Sequence, residues 1–378
     1  MTNVIEYITT GMGDGGAETL IKDYALMLDS TKYKVTIVTI NPLILDSANN
    51  NRLLGKGIEV IPIYEKPKKF SNIVLKKIWN RFIHKHYVAN RLYQIIKEKQ
   101  ADTLHCHLEV LYSVVPIANK ISDVKLLWTC HNQPDVIFKP TRWESEEKSA
   151  KYLIKNNNMQ MIALHDEMRK ELNSRFKVNN TVVIHNGIDF ERFTNVQESK
   201  SDIRDSIKIP NDSFVLGHVG RFSKAKNHLF LVDIFKKVKE ANNQAHLLLV
   251  GAGEFMQQTE HKLIENGLAG SYTILSHRTD IPRLLKAMDV FVFPSLFEGL
   301  PVSLVEAQVS GLRTVASNKI TEECFFSGKS IAISLDKPAE EWARIILDSN
   351  IESNYSNDIN LFNMSKEIKR LGKLYEKG

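Results

Sequence analysis

Two carboxylates with a fixed spacing lie in the run Val290-Phe-Val-Phe-Pro-Ser-Leu-Phe-Glu298-Gly-Leu-Pro-Val-Ser-Leu-Val-Glu306. The run reads as a strand, a short turn and a helix, so Glu298 falls at the turn and Glu306 inside the helix. Pro301 is expected as the first helical residue, because the amide it lacks would be unbonded there anyway. That leaves the amides of Val302 and Ser303 at the positive end of the helix dipole, a setting suited to an anion and above all to phosphate. Glu306 then lies roughly 7 Å farther along the axis than the turn. The two carboxylates are placed to hold hydroxyls at opposite ends of one elongated ligand, and a nucleotide diphosphate-sugar has that shape. Val302, Leu304, Val305, Ala307 and Val309 surround Glu306 with apolar side chains, where a charge is uncommon without a partner. Taken alone, the pair also fits an amphipathic helix with two solvated glutamates.

A second constellation is Gly220-Arg221-Phe-Ser-Lys224-Ala-Lys226-Asn-His, which closes one strand and opens the next helix. Two cations five residues apart at a strand's carboxyl end suit a diphosphate, Arg221 through its planar fork and Lys226, or Lys224 in its place, as a point charge. The loop Gly11-Met-Gly13-Asp-Gly15-Gly16-Ala-Glu18 follows the first strand and satisfies G-x-G-x-x-G, so a nicotinamide oxidoreductase is the obvious rival. That rival requires an acid at the end of the second strand to hold the ribose, and this strand ends Thr39-Ile40-Asn41-Pro42. A tight strand-to-helix turn with no ligand is the other reading of the loop. His105-Cys106-His107 and Cys130-His131 end two further strands. Strand alternation puts His105 and His107 on one face and Cys106 on the other, so a metal cluster could use only part of the set, and no metal site is expected. Val250-Gly251-Ala-Gly253 is another glycine turn after a strand, and Ser276-His277-Arg278 ends the next.

The segment from Glu298 to Glu306 resembles the E-x7-E motif of the retaining glycosyltransferases of family 4. The resemblance covers essentially the full chain and is most specific between Gly220 and Gly311. It implies an α/β chain of the GT-B fold: two doubly wound Rossmann-like domains, a deep interdomain cleft, and a C-terminal helix crossing back to the first domain. It also implies transfer of a glycosyl group, with retention, from a UDP-sugar to a saccharide or polyprenyl-linked saccharide acceptor. The bacterial members that build capsule or exopolysaccharide are the most similar. In that family's terms Arg221, Lys226 and the amides after Gly299 meet the charge on the leaving diphosphate. Glu298 holds hydroxyls of the donor sugar, Glu306 holds the ribose, and His131 faces the sugar and the reaction centre with His107 beside it on the acceptor side. Gly15, Gly16, Gly220, Gly251, Leu300 and Val302 line the donor, and His277 and Arg278 flank the base. No cofactor is implied and no general base is assigned, because the leaving phosphate itself is commonly proposed to accept the acceptor's proton. His185-Asn186-Gly187-Ile188-Asp189 resembles the family's turn into the second domain and is read as structural. A non-enzymatic sugar-nucleotide sensor would share the same fold.

With 378 residues the chain is long enough for two ordinary domains, and 43% hydrophobic with 25% charged residues is the composition of a globular protein. No apolar run is long enough to cross a bilayer, and the first residues read as a strand rather than a signal peptide, so a cytoplasmic protein is expected. Cys106, Cys130 and Cys324 cannot all pair and show no close-spaced zinc pattern. The net charge of +6 is concentrated: Lys66 to Lys99 contains ten Lys or Arg and one acid, Glu98. Leu75, Ile78, Trp79, Phe82 and Ile83 recur at helical spacing, with Lys76, Lys77 and Arg81 largely opposite. Such a helix lies on anionic lipid on the inner face of a membrane, or equally packs on a core with a solvated basic face. No nucleic-acid motif accompanies it.

Strand-like and helix-like runs alternate along the chain, the pattern of parallel sheets covered on both faces. Strands are expected at 4–9, 35–40, 59–63, 103–106, 125–130 and 160–164, and in a second sheet at 181–185, 214–219, 245–250, 272–275, 290–293 and 313–316. The domains are expected at 1–176, with a helical 361–378 packing back on it, and at 177–360.

Overall fold

A computed structural model describes residues 1–13, 15–66, 83–138, 146–276 and 278–376. The sequence expectations at Lys76, Lys77, Trp79, Arg81 and His277 lie outside the described residues. The chain divides into two units, Met1–Gly187 with Ser365–Gly378, and Ile188–Met364.

The first unit is built on a seven-stranded parallel sheet in the order β3-β2-β1-β4-β5-β6-β7. Its strands are β1 (Thr2–Ile8), β2 (Tyr33–Thr39), β3 (Glu59–Pro62), β4 (Thr103–His107), β5 (Lys125–Thr129), β6 (Gln160–Ala163) and β7 (Val182–Val183). Val4, Ile5, Tyr7, Leu104, Leu127 and Trp128 are buried, as near-continuous apolar strands must be when helices cover both faces. The strand order reverses between β1 and β4, and the register places Glu6 opposite His105 and Ile8 opposite His107.

The second unit carries a six-stranded parallel sheet, β10-β9-β8-β11-β12-β13. Its strands are β8 (Phe214–Val219), β9 (Ala245–Val250), β10 (Tyr272–Leu275), β11 (Val290–Phe293), β12 (Arg313–Ser317) and β13 (Ser330–Ile333). Leu216, Leu247, Leu249, Val292 and Val315 form its core with Phe235 and Trp342 from the covering helices. Its order reverses between β8 and β11. Ligands of open parallel sheets bind outside the strand carboxyl ends at such a reversal.

Three expectations are corrected. The segment 181–185 does not open the second sheet: β7 pairs with β6 of the first, Ile162 opposite Val182, so the first unit's leading segment runs to Gly187 rather than to residue 176. β13 was not foreseen; Ser-Ile-Ala-Ile is a short run that follows a turn and pairs in parallel with β12. The closing helix starts later than residue 361, at Met364, after a 3-10 turn at Ile359–Phe362, and it runs to Tyr375. That helix belongs to the first unit.

Candidate active site

At the strand reversal of the second unit, Lys226 Nζ lies 2.9 Å from Glu298 Oε1. Both side chains are mostly covered, 16% and 13% exposed, so their attraction is less screened than that of a surface pair. The loop after β8 contains a 3-10 turn, Lys224–Lys226, which ends at Asn227 in the left-handed region, φ 56°. The Asn227 side chain donates to the Pro294 carbonyl at 3.1 Å, and the Leu296 amide donates to the Ala225 carbonyl at 2.8 Å. These two bonds fasten the loop that carries Lys226 to the loop that carries Glu298. The ammonium stands 4.5 Å from the centre of the Phe293 ring, a cation–π contact that fixes its approach. Its stem passes beside Gly220, where a Cβ would fall 3.2 Å from Lys226 Cε and 3.1 Å from His218 Nε2. Gly251 serves the same surface differently: its φ is +146°, and a Cβ there would fall 2.1 Å from the Gly220 carbonyl oxygen. The loops after β8 and β9 can therefore pack backbone to backbone only if residue 251 lacks a side chain.

Sequence reasoning missed the polar groups beneath this pair. His218, His228 and Ser295 are buried, and His218 Nε2, both ring nitrogens of His228 and the Ser295 hydroxyl have no hydrogen-bond partner among the described residues. His218 Nδ1 donates to the Val292 carbonyl at 2.9 Å. Burial pushes His218 down to about 3, and burial together with His218 and Lys226 pushes His228 down to about 2. Both are neutral rings near neutral pH. The available clue was a polar side chain inside the apolar strand Val215-Leu216-Gly217-His218-Val219.

Other expected residues stand differently from the sequence reading. Arg221 is 76% exposed on its side chain and reaches Glu254 at 3.5 Å rather than Glu298. Arg278 forks onto Asp280 at 2.7 and 2.5 Å. Pro301 caps the helix Val302–Val309 instead of starting it, and the Val302 amide is not free: it donates back to the Leu300 carbonyl at 3.0 Å. Leu304 and Val305 both donate to the Pro301 carbonyl, so the helix begins one residue later. Gly299 and Leu300 are buried, and Glu306 is half-buried on that helix. In the first unit, exposed Gly15 caps the helix Gly16–Met27 and exposed Gly16 opens it.

The first unit holds a second cluster that runs through its sheet. Glu6 is fully buried in β1, facing His105 and His107 on the same face of β4. Glu6 Oε2 lies 2.6 Å from His107 Nε2 and 3.1 Å from His105 Nδ1, and the Tyr375 hydroxyl donates to Glu6 Oε1 at 2.6 Å. His105 also meets the Tyr375 hydroxyl at 2.8 Å and the Thr129 hydroxyl at 2.7 Å. His107 Nδ1 meets His131 Nε2 at 2.8 Å. His131 is half-buried, whereas His107 is fully buried and so cannot touch an acceptor or a membrane, contrary to the sequence expectation. Burial alone would raise the Glu6 carboxyl, but attraction to His105 and hydrogen bonds from both histidines hold it well below the usual range. Burial and the neighbouring His105 push His107 down to about 4, and burial with His107 and His105 lowers His131 strongly. Glu6, His105 and His107 are also close enough to suggest a metal ion. Two atoms bound to one tetrahedral ion stand about 3.3 Å apart, and the 2.6 Å Glu6–His107 contact is instead a direct hydrogen bond.

Comparison with known proteins follows this division. Residues 14–192 match the model of Glycosyltransferase Family 4, and residues 213–348 match the model of Glycosyl transferases group 1. The UDP-Gal:alpha-D-GlcNAc-diphosphoundecaprenol alpha-1,3-galactosyltransferase of Escherichia coli is 30% identical over 75% of this chain and 77% of its own length. The capsular polysaccharide biosynthesis glycosyltransferase CapH of Staphylococcus aureus is 24% identical over 75% of this chain and 79% of its own. Among solved structures, Anabaena Alr3699/HepE in complex with UDP and glucose aligns over 99% of both chains with a TM-score of 0.75 at 19% identity, a likeness of fold.

Proposed function

This chain belongs to the family 4, group 1 glycosyltransferases, and from that premise we propose that it moves a sugar from a UDP-sugar, with retention, to a saccharide or polyprenyl-linked saccharide during bacterial surface polysaccharide assembly. The observation that carries the reading is the Lys226–Glu298 pair at the strand reversal of the second unit. Breaking a glycosyl–phosphate bond leaves charge on the diphosphate. A cation already held in place by Phe293, Gly220 and the two loop-to-loop bonds meets that charge without reorganising. Glu298, sharing Lys226 with the diphosphate, is placed to take hydroxyls of the sugar, and Glu306 farther along the helix takes the ribose. Gly299 and the first amides of the helix add the dipole, with Ser303 in place of Val302 as the outermost donor. His131, just after β5, is the residue that the family resemblance directs at the sugar. The named relatives act on UDP-galactose with a diphosphoundecaprenol-linked acceptor and in capsule synthesis, which supports the donor and acceptor classes.

Incubating the protein with a panel of UDP-sugars and a short polyprenyl-diphosphate saccharide tests this. The expected result is UDP release that rises when the acceptor is added, and a product whose new linkage has the anomeric configuration of the donor. Binding of UDP-sugars with no turnover on any acceptor would make the protein a sugar-nucleotide sensor, and an inverted product would remove the retaining assignment.

A further inference from the structure

The hydrogen bonds around Glu6 have only one consistent polarity. A carboxylate accepts and cannot donate, and Glu6 is held ionised. The Tyr375 hydroxyl therefore donates to Oε1, and the proton between Glu6 and His107 sits on His107 Nε2. Having spent its proton on Glu6, Tyr375 accepts from His105 Nδ1. His107 is neutral with its proton on Nε2, which leaves Nδ1 as an acceptor, and the group that faces it among the described residues is His131 Nε2. His131 must carry its own proton on Nε2. Its Nδ1 is then a bare lone pair on a half-buried ring, with no partner among the described residues. The direction of the chain is set at Glu6 and transmitted through two imidazoles.

We propose that Glu6 and His107 are positioning residues, which lock His131 in the Nε2–H tautomer so that its Nδ1 accepts a hydrogen bond from a hydroxyl of the transferred sugar. The identity of that hydroxyl-bearing ligand rests on the function proposed above; the tautomer does not. A histidine in a freely interchanging state would present a donor or an acceptor by turns and would orient the sugar only part of the time. A fixed acceptor selects a hydroxyl at that position over a group unable to donate. The buried anion gives an electrostatic benefit as well: partial positive charge that develops on the sugar ring is felt through His131 and His107 by a carboxylate, without any of the three groups changing its proton count.

The test uses the full chain labelled with 15N-histidine. The expected spectrum shows His131 protonated on Nε2 and bare on Nδ1, with a 15N–15N coupling across the hydrogen bond to His107 Nδ1. A proton on His131 Nδ1, or no coupling between the two rings, overturns the proposal. This readout needs no turnover, so it stands or falls separately from the transferase assignment. In Glu6→Gln, kcat with the preferred UDP-sugar is expected to fall about 10–100-fold while KM for the donor changes by less than about twofold. Tyr375→Phe, which keeps the ring and removes only the hydroxyl, is expected to lower kcat in the same sense by a smaller factor. Unchanged kcat in both variants overturns the positioning role even if the tautomer is as described.

Discussion

Lys226 and Arg221 are only five residues apart and carry the same charge, yet their surroundings separate them. Lys226 is covered, ring-stacked and paired at 2.9 Å, whereas Arg221 extends into solvent toward Glu254. Lys226→Ala is therefore expected to lower kcat by about 10²–10³-fold, the scale of losing one fixed stabiliser of developing charge. Arg221→Ala is expected to cost less than a tenth of that loss, and equal losses in a UDP-release assay would show that Arg221 swings onto the diphosphate. Glu306→Ala is expected to weaken UDP-sugar binding about 10–100-fold by calorimetry, as loss of a charged hydrogen bond does, with the melting temperature little changed. That Lys226, Glu298 and His131 follow strand ends was legible in the sequence because the distance is short and local, whereas the role given to His131 came from the family resemblance. Glu6 was not. A single acid in Val4-Ile5-Glu6-Tyr7-Ile8 carries no mark of its partners, which lie 101 and 369 residues away and are delivered by sheet register and by the last helix.

Glycines separate two kinds of constraint among the elements. Gly251 is demanded by packing, since a Cβ would strike the Gly220 carbonyl at 2.1 Å and the φ of +146° is costly for any other residue. Gly251→Ala is expected to destabilise the protein by about 2 kcal/mol or more in urea unfolding. Gly16 has no atom within 4 Å of its missing Cβ. Gly16→Ala is accordingly expected to leave stability within about 0.5 kcal/mol and to lower activity all the same, if the exposed turn is kept bare for a ligand; full activity would make that glycine incidental. Most strands could be read from sequence because parallel strands covered on both faces are short apolar runs between helices. What could not be read was membership. Val182 and Val183 look alike as the last strand of one sheet or the first of another, and only pairing with Ile162 and Ala163 decides it. The turn at Pro301 escaped for a similar reason: proline suits both a first helical residue and a cap, and the Val302-to-Leu300 bond selects the cap.

Across the whole molecule, buried neutral histidines set the response to acid. Burial holds His107 and His246 at about 4, His218 at about 3 and His228 at about 2, against an ordinary value of 6.5. As pH falls below 6.5 the unfolded chain takes up protons that the folded chain refuses. The stability from these groups is thus complete above 6.5 and drains away toward pH 4, at up to about 1.4 kcal/mol per pH unit for each histidine. Glu6, lowered in the fold, adds a further loss that begins only as pH drops through the ordinary carboxylate range. Melting curves between pH 7.5 and 4.5 are expected to fall steeply once below 6.5, and a flat profile to pH 5 would mean that these rings are protonated in place. The membrane question is narrower: among the described residues no helix is long and apolar enough to cross a bilayer.

The hydroxyl that steadies Glu6 belongs to Tyr375, on a helix that the chain reaches only after it has passed through the whole of the second unit. Until that helix returns, the amino-terminal sheet holds an interior anion without the hydroxyl that covers it, so the unit that begins first closes last. Removing the helix Met364–Tyr375 is thus expected to leave the strands of the first sheet in place around an unmatched charge, and to lower the melting temperature accordingly.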